Sequence, residues 1–315
     1  MTTSSSPSSL AIVVIDAFTS RAFSGNQAAV CVLESASSLS AAQMQQIAAE
    51  MNLSETAFVH AIDATAGTYH LRWFTPQVEV NLCGHATLAT AWALFSERHV
   101  QPRCLRFQTL SGELTVERDD ADANVLRMDF PLGASALVQL PDATLTALRA
   151  ALWPATSASR QCAIAAVYFC PKTKKLLVEV DSETHVHAVA LSPAELVAVF
   201  PPGSATSTGL PDVRGVAVTT SNVAAGADYR ICSRYFAPWV GLNEDPVTGS
   251  AHTALAAMYA PRLGHTFRAR QASQRNGFMT VSIDPARVPA GRVWLSGQAV
   301  TVLRGALDLS TAARS

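Results

Sequence analysis

Three short stretches carry side chains able to handle protons and carboxylates: "NLSET" with Glu55, "NLCGHAT" with Cys83, Gly84 and His85, and "NEDPVTGSAH" with Asp245, Gly249 and Ser250. Glu55 lies between an amphipathic helical pattern and the apolar run Ala57-Phe58-Val59, where a partly desolvated carboxylate can both take and return a proton. It could equally close a local turn from Asn52. Asp245 reads either as a turn or N-cap acid ahead of a helix, or as an acid that stays protonated beside a bound carboxylate and donates to it. His85 and Ser250 stand at expected helix starts. Serine is a common cap there and imidazole is not, so His85 is the stronger candidate for hydrogen bonding to substrate oxygens. Asn26, in "SGNQ", is a substrate-contact candidate, although Gly-Asn is first of all a turn signal. Cys83 precedes Gly84-His85 at a helix start, where a thiolate is stabilised.

These groups need elements to hold them, and the chain describes those elements twice. Arg72-Trp73-Phe74-Thr75-Pro76 through Asn81 matches Arg234-Tyr235-Phe236-Ala237-Pro238 through Asn243 without a gap, at an offset of 162 (234 − 72). After each Asn come a short polar bend and a glycine that opens an apolar helix. An offset near half of the 315 residues argues for two similarly folded halves that arose by duplication. Each half reads as strand, strand, helix, strand, strand, helix. The first has "AIVVIDAFTS", "AAVCVLE", "SAAQMQQIAAEM", "ETAFVHAI", "TYHLRWFTP" and a helix over 86–98. The second has "AIAAVYFC", "KLLVEV", "SPAELVAVF" with a Ser cap and Pro in the first turn, "VRGVAVTTS", "ADYRICSRYF" and a helix over 251–259. The last helix of each half lacks a charged face and must be surrounded by protein, as in a curved sheet wrapped around it. If the starts of both helices face one cleft, their free N–H groups and partial positive charge form a carboxylate site, and Gly84 and Gly249 let a ligand approach the backbone. The halves are expected at 10–131 and 132–315, after a disordered leader at 1–9, with a last strand that could cross back to the first half.

Composition narrows the function. Hydrophobic residues make up 49% and charged residues 15%, with a net charge of −1, which fits a well-buried, soluble, cytoplasmic chain and offers nucleic acid or an anionic membrane no basic surface. No stretch has the length of a membrane span, and the leader is not a signal peptide. Gly-x-Gly and Gly-Lys-Ser/Thr are both missing, so no dinucleotide or phosphate-loop cofactor is indicated. The only lysines, Lys172, Lys174 and Lys175, crowd into "PKTKK", which reads as a turn and is a poor setting for an imine-forming amine. Cys31, Cys104, Cys162, Cys170 and Cys232 are scattered and read as buried free thiols. "HVH" (His185, His187), read as a strand, points two imidazoles to one side without a third ligand, so no metal site is expected. Small molecules are the expected partners.

The blocks "AFSGNQAAVCVL", "MNLSETAFV", "RWFTPQVEVNLCGHATLA" and "NEDPVTGSAHTALA" together resemble the phenazine-biosynthesis PhzF-like isomerase family over nearly the whole chain. The resemblance implies an α+β fold similar to diaminopimelate epimerase: two pseudo-symmetric halves, each a curved, mostly antiparallel sheet around a central apolar helix. It implies a cofactor-independent isomerase that moves a proton between carbons of a small carboxylic acid, with Glu55 as acid/base and with His85, Asp245, Ser250, Gly84 and Gly249 completing the site. A homodimer is a family expectation. Diaminopimelate epimerase works with one cysteine per half. Here the second copy reads "DPVTGS", so a two-thiol mechanism is not expected and Cys83 reads as a packed thiol. The alternatives are a racemase or epimerase using Glu55 and Cys83 on opposite faces, and a non-catalytic carboxylate-binding protein.

Overall fold

The computed structural model describes residues 9–154, 163–203, 210, 212–284 and 291–310. The expected leader falls outside these residues except for Ser9, and so does Cys162. The chain divides into two compact units, Met1–Phe130 with Ser296–Ser315, and Pro131–Leu295.

The first unit comprises β1 (Ser9–Ala17), β2 (Asn26–Leu33), α1 (Ala41–Met51), β3 (Glu55–Asp63), β4 (Thr68–Phe74), β5 (Glu79–Val80), α2 (Gly84–Trp92), β6 (Cys104–Thr109), β7 (Gly112–Arg118), β8 (Leu126–Pro131) and, from the end of the chain, β18 (Ala299–Asp308). β18 pairs antiparallel with β1, and β1 with β2. α1 then carries the chain to β3, parallel to β2, and β4 returns antiparallel. β4 pairs with β5 at Trp73 and Phe74 and runs parallel to β6 at Thr68 to His70. β7 and β8 follow antiparallel.

α1 forms because Ser40 and Gln43 make a reciprocal capping box. It ends because Asn52 turns left-handed at φ 48°, its N–H bonded back to Ala48 O. Its Met44, Ile47 and Ala48 pack with Leu10, Ile12, Cys31, Phe58 and Phe74, and the last two rings meet edge to face at 5.6 Å. Truncating such a Phe to Ala costs about 3–5 kcal/mol. α2 is buried from Gly84 to Ala91 and packs on β1, β2, β3 and β18. Its Thr87 and Thr90 hydroxyls donate back to Cys83 O and Ala86 O, at 2.5 and 2.7 Å, so neither leaves an unpaired donor in the core. The helix expected to reach Arg98 widens after Trp92 into a π turn over Ala93–Glu97.

The second unit comprises β9 (Ala136–Leu137), α3 (Asp142–Leu152), β10 (Ile164–Cys170), β11 (Lys175–Val180), α4 (Glu183–His187), α5 (Pro193–Val199), β12 (Gly215–Thr220), β13 (Ile231–Ala237), β14 (Leu242–Asp245), α6 (Gly249–Leu263), β15 (Thr266–Gln271), β16 (Gly277–Ser282) and β17 (Arg292–Gly297). β9, β10 and β11 pair antiparallel in sequence. β12 is parallel to β11 and β13 antiparallel to β12, while β13 carries β14 antiparallel and β15 parallel; β16 returns on β15. Leu148, Leu152, Phe169, Leu176, Val178, Leu196, Val216, Val218 and Phe236 form its core.

Three local expectations change. "HVH" is the helix α4, not a strand: Glu183 is fixed by Tyr229 Oη at 2.6 Å and the Ala224 N–H at 3.1 Å, tertiary bonds with no signature in the local pattern. Ser192 precedes Pro193 at the start of α5, yet its side chain makes no cap bond. Lys175 is not a turn residue. It opens β11 and is only 8% exposed.

The repeated phrase has a structural basis in each unit. Arg72 holds Glu79 through two hydrogen bonds, 2.7 and 2.8 Å, with its guanidinium 5.0 Å from the Phe74 ring centre. Arg234 holds Glu244 at 2.7 and 2.8 Å and lies 5.1 Å from the Phe236 ring centre. The Arg-x-Phe spacing places each guanidinium over the aromatic two positions on, on the same face of the strand.

Candidate active site

In the first unit, β2 and β3 run parallel with Ala28 beside Glu55, so Asn26 and Glu55 lie at the same end of neighbouring strands. The loop before Asn26 is held in shape. Buried Asp16 accepts the Phe23 N–H at 2.7 Å, and Gly25 has φ +67° with Ala17 O only 2.2 Å from where a Cβ would stand. Any side chain at position 25 would displace Asn26. The Asn26 amide nitrogen lies 3.1 Å from His85 Nδ1, and its carbonyl accepts from Ser54 Oγ at 3.3 Å. Cys83 Sγ is 3.5 Å from the same imidazole nitrogen. On the other side of the ring, His85 Nε2 faces Glu55 Oε2 in a 3.1 Å charge contact, and both atoms are buried without a hydrogen-bonding partner. Asn26, Glu55, Cys83, Gly84 and His85 are all buried. Cys83 occupies the N-cap of α2 without a side-chain cap bond, and no acid lies in the first turn, so the helix's partial positive charge is left for His85's surroundings.

Burial by itself would strip the proton from His85. The negative charges facing it, Cys83 and Glu55, outweigh that, and its pKa lies well above the ordinary value. Burial, with Glu55 adding to it, pushes the Cys83 thiol up to about 11. The Asn26 amide distinguishes the two states of the ring. With Nδ2 toward Nδ1, the imidazole is the neutral Nε2–H tautomer and presents that proton to Glu55. With the amide turned over, Oδ1 accepts from Nδ1–H and accommodates the imidazolium. Ser54, whose hydroxyl can donate or accept, serves either arrangement.

In the second unit, Asp245, Gly249 and Ser250 come together at the start of α6. Asp245 ends β14 and is 7% exposed; its carboxylate accepts a short hydrogen bond from Thr248 Oγ1. Buried Gln271 clamps this bend: its amide donates to Asp245 O at 2.6 Å and its carbonyl accepts from the Thr248 N–H at 2.8 Å. Thr248 is the N-cap of α6 but its side chain does not cap the helix, and Gly249 and Ser250 supply the first N–H groups. His252 Nδ1 donates to Thr248 O at 2.8 Å. Gln271 is not singled out in the sequence, Tyr235 enters only as part of the repeated phrase, and Lys175 reads there as a turn residue. Nothing local marks them, because their burial depends on strands that meet far along the chain.

Among the described residues, two sets of side chains have the types for a metal: Glu55, Cys83 and His85, and Glu183, His187 and Cys232, with the ligand atoms of each set within 4.8 Å of one another. In the second set Arg270 donates to Glu183 Oε1 at 3.1 Å, placing a positive charge where a cation would have to sit. No described helix is long and apolar enough to cross a membrane.

The family model described as phenazine biosynthesis-like protein, PhzC-PhzF, matches residues 15–305. The chain belongs to that family. It is 44% identical over 301 residues to an uncharacterized isomerase of Pseudomonas aeruginosa, covering 95% of this chain and 99% of that one. It is 41% identical over 309 residues to the phenazine biosynthesis-like domain-containing protein of Rattus norvegicus, with the same coverage. Among solved structures, a PhzF family protein of Enterococcus faecalis superposes with a TM-score of 0.78 at 34% identity, over 95% of this chain and 99% of that one. The fold is α+β, and this PhzC-PhzF family member is an isomerase-type enzyme.

Proposed function

We propose that this PhzC-PhzF family member moves a proton between carbons of a small carboxylic acid, with Glu55 as the acid/base and no cofactor. The observation that carries this reading is the buried contact between Glu55 Oε2 and His85 Nε2 at 3.1 Å, backed by Asn26 and Ser54. A carboxylate in that position can abstract a proton from an activated C–H and return it to another carbon of the conjugated system. His85, holding a proton toward it, balances the charge that develops. One base acting on two carbons accounts for isomerisation. Gly84 and Asn26 are assigned substrate contacts at the start of α2. Asp245, Gly249 and Ser250 are assigned the same kind of role at the start of α6, where uncapped N–H groups suit a carboxylate.

The two units are read as copies of one ancestral module. In both, a strand is followed by helix (one in the first unit, two in the second) and a parallel strand, then an antiparallel strand that carries a short antiparallel partner, then an apolar helix and a strand parallel to the one that carries the short partner. The matched Arg–Glu clamps support the same descent.

An epimerase using Cys83 as a second base is disfavoured, because a thiol at about 11 is a poor proton acceptor near neutrality. The test is incubation of wild type, Glu55→Gln and Cys83→Ala with a panel of small carboxylic acids in D2O, followed by mass spectrometry. Carbon-bound deuterium with wild type and Cys83→Ala, but not with Glu55→Gln, is expected. Full labelling by a folded Glu55→Gln protein would refute the proposal. Binding of an acid without any labelling would favour a non-catalytic site.

A further inference from the structure

We propose that Lys175 is a positioning residue of the second unit's candidate site: its ammonium keeps Asp245 a carboxylate, so that Asp245 acts as a hydrogen-bond acceptor or base and not as a neutral donor. This rests on the reading of Asp245 as a site residue.

The geometry begins at a glycine. Lys175, the first residue of β11, lies beside Gly215 of β12 in parallel register. A Cβ at Gly215 would stand 1.9 Å from Tyr235 Oη and 2.5 Å from its Cζ, so the phenol ring occupies the space a side chain there would need. That brings the ring beside Lys175, with Nζ 5.3 Å from its centre. Tyr235 in turn stands directly opposite Asp245 in the antiparallel β13–β14 pair, so the two side chains leave the sheet on one face. Thr219, on the same face of β12, contacts Tyr259 of α6 through its hydroxyl at 3.2 Å. Lys175, Tyr235 and Asp245 therefore lie on the face that α6 packs against.

Burial makes the charges matter. Lys175, Tyr235 and Asp245 are 8%, 6% and 7% exposed. An ammonium has three donors, and Lys175 has one long hydrogen bond, to Thr173 O at 3.5 Å. A buried cation so poorly solvated must be compensated by a nearby negative charge or lose its proton. Burial pulls Lys175 down to about 8, against the opposing pull of Cys170 and Asp245, and burial together with Asp245 raises the Tyr235 phenol. Cys170, directly opposite Lys175 in the β10–β11 pair, pulls the same way and more strongly, but it is a thiol and not a carboxylate, and the other titratable groups around this face do not substitute. His252 on α6 is held neutral, near 4, and Glu179 is paired with Arg262 at 2.8 Å. Asp245 is left as the carboxylate that balances Lys175, and Lys175 as the cation that keeps Asp245 ionised.

The chain has three lysines, so side-chain NMR can follow each ammonium separately in the intact protein. The midpoints of Lys175 Nζ and Asp245 Cγ would be measured in wild type, Asp245→Asn, Lys175→Met and Lys175→Arg, with amide spectra as the check of folding. The Lys175 midpoint is expected to fall by about one unit in Asp245→Asn, and the Asp245 midpoint to rise by about one unit in Lys175→Met while holding in Lys175→Arg. A Lys175 midpoint unmoved in folded Asp245→Asn would overturn the proposal, and this arm decides if Lys175→Met does not fold. The deuterium assay separates the underlying reading: full labelling by Asp245→Asn would remove Asp245 from the site, and the positioning role with it, whatever the titrations give.

Discussion

Glu55 and His85 meet at 3.1 Å from different kinds of element, Glu55 opening a strand and His85 lying in the first turn of a helix. Because the groups that face it, Cys83 and Glu55, outweigh the opposing effect of burial and hold the imidazole pKa above its unfolded value, protonated His85 stabilises the folded state. That contribution is complete below the unfolded value of about 6.5 and is lost as pH rises through the higher folded value. Urea unfolding of wild type and His85→Gln at a series of pH values should show wild type losing stability over that window, with the slope missing from the variant. Equal slopes would mean that His85 carries no proton held by Glu55. Turnover of His85→Gln should fall by about 100-fold if His85 balances charge in the transition state.

Thiol chemistry gives a second check. Burial pushes Cys83 to about 11 and both Cys31 and Cys232 to about 12, whereas Cys104 is half-buried on β6. Alkylation with iodoacetamide at pH 7.5, read by peptide mass spectrometry, should therefore modify Cys104 well before Cys83, Cys31 or Cys232. Rapid modification of Cys83 would show a thiolate at the start of α2 and revive the two-base epimerase.

Much of this site was legible in the sequence, and the reason is local. Glu55 follows the helix α1, whose cap and apolar spacing are written in "SAAQMQQIAAEM" from Ser40 onward, and Cys83-Gly84-His85 opens an uncharged helix that had to be buried. The repeated Arg-x-Phe phrase marked β4 and β13, because its guanidinium, ring and carboxylate act within a few residues of one another. Lys175 was misread for the opposite reason. Its burial comes from Gly215 and Tyr235, forty and sixty residues later in the chain, and "PKTKK" alone looks like a solvated turn. α4 was misread likewise, since alternation in "HVH" imitates a strand while the helix is held by Tyr229 and Ala224.

His252 predicts an acid limit to stability. Its Nδ1 donates to Thr248 O, its Nε2 is buried without a partner, and burial lowers its pKa to about 4 despite that hydrogen bond. The unfolded chain takes up this proton near 6.5 and the folded one only near 4. Stability is thus complete above pH 6.5 and falls as pH drops toward 4, by on the order of 3 kcal/mol from this group. Chemical denaturation of wild type and His252→Gln between pH 4 and 7 should give a shallower decline in the variant. Parallel curves would mean that another group sets the acid limit.

Gly215 and Tyr235 allow the second unit's packing to be tested without any substrate. A methyl group at position 215 would overlap the Tyr235 ring, whose Cζ and Cε2 lie 2.5 and 2.8 Å from it as well as Oη at 1.9 Å. The phenol cannot simply rotate away, because Tyr235 is buried between β12 and β14 and its ring lies against Lys175. Gly215→Ala should therefore destabilise the protein by about 2 kcal/mol. In a Tyr235→Leu background the same change should cost at least about 1 kcal/mol less, since the obstructing ring is gone and the two sites are in contact. Additive losses in the four-protein cycle would show that Gly215 is required for its backbone and not for the space it leaves. That space is what brings Tyr235 to Lys175, so additivity would also remove the ring from the path by which Lys175 and Asp245 are placed on one face.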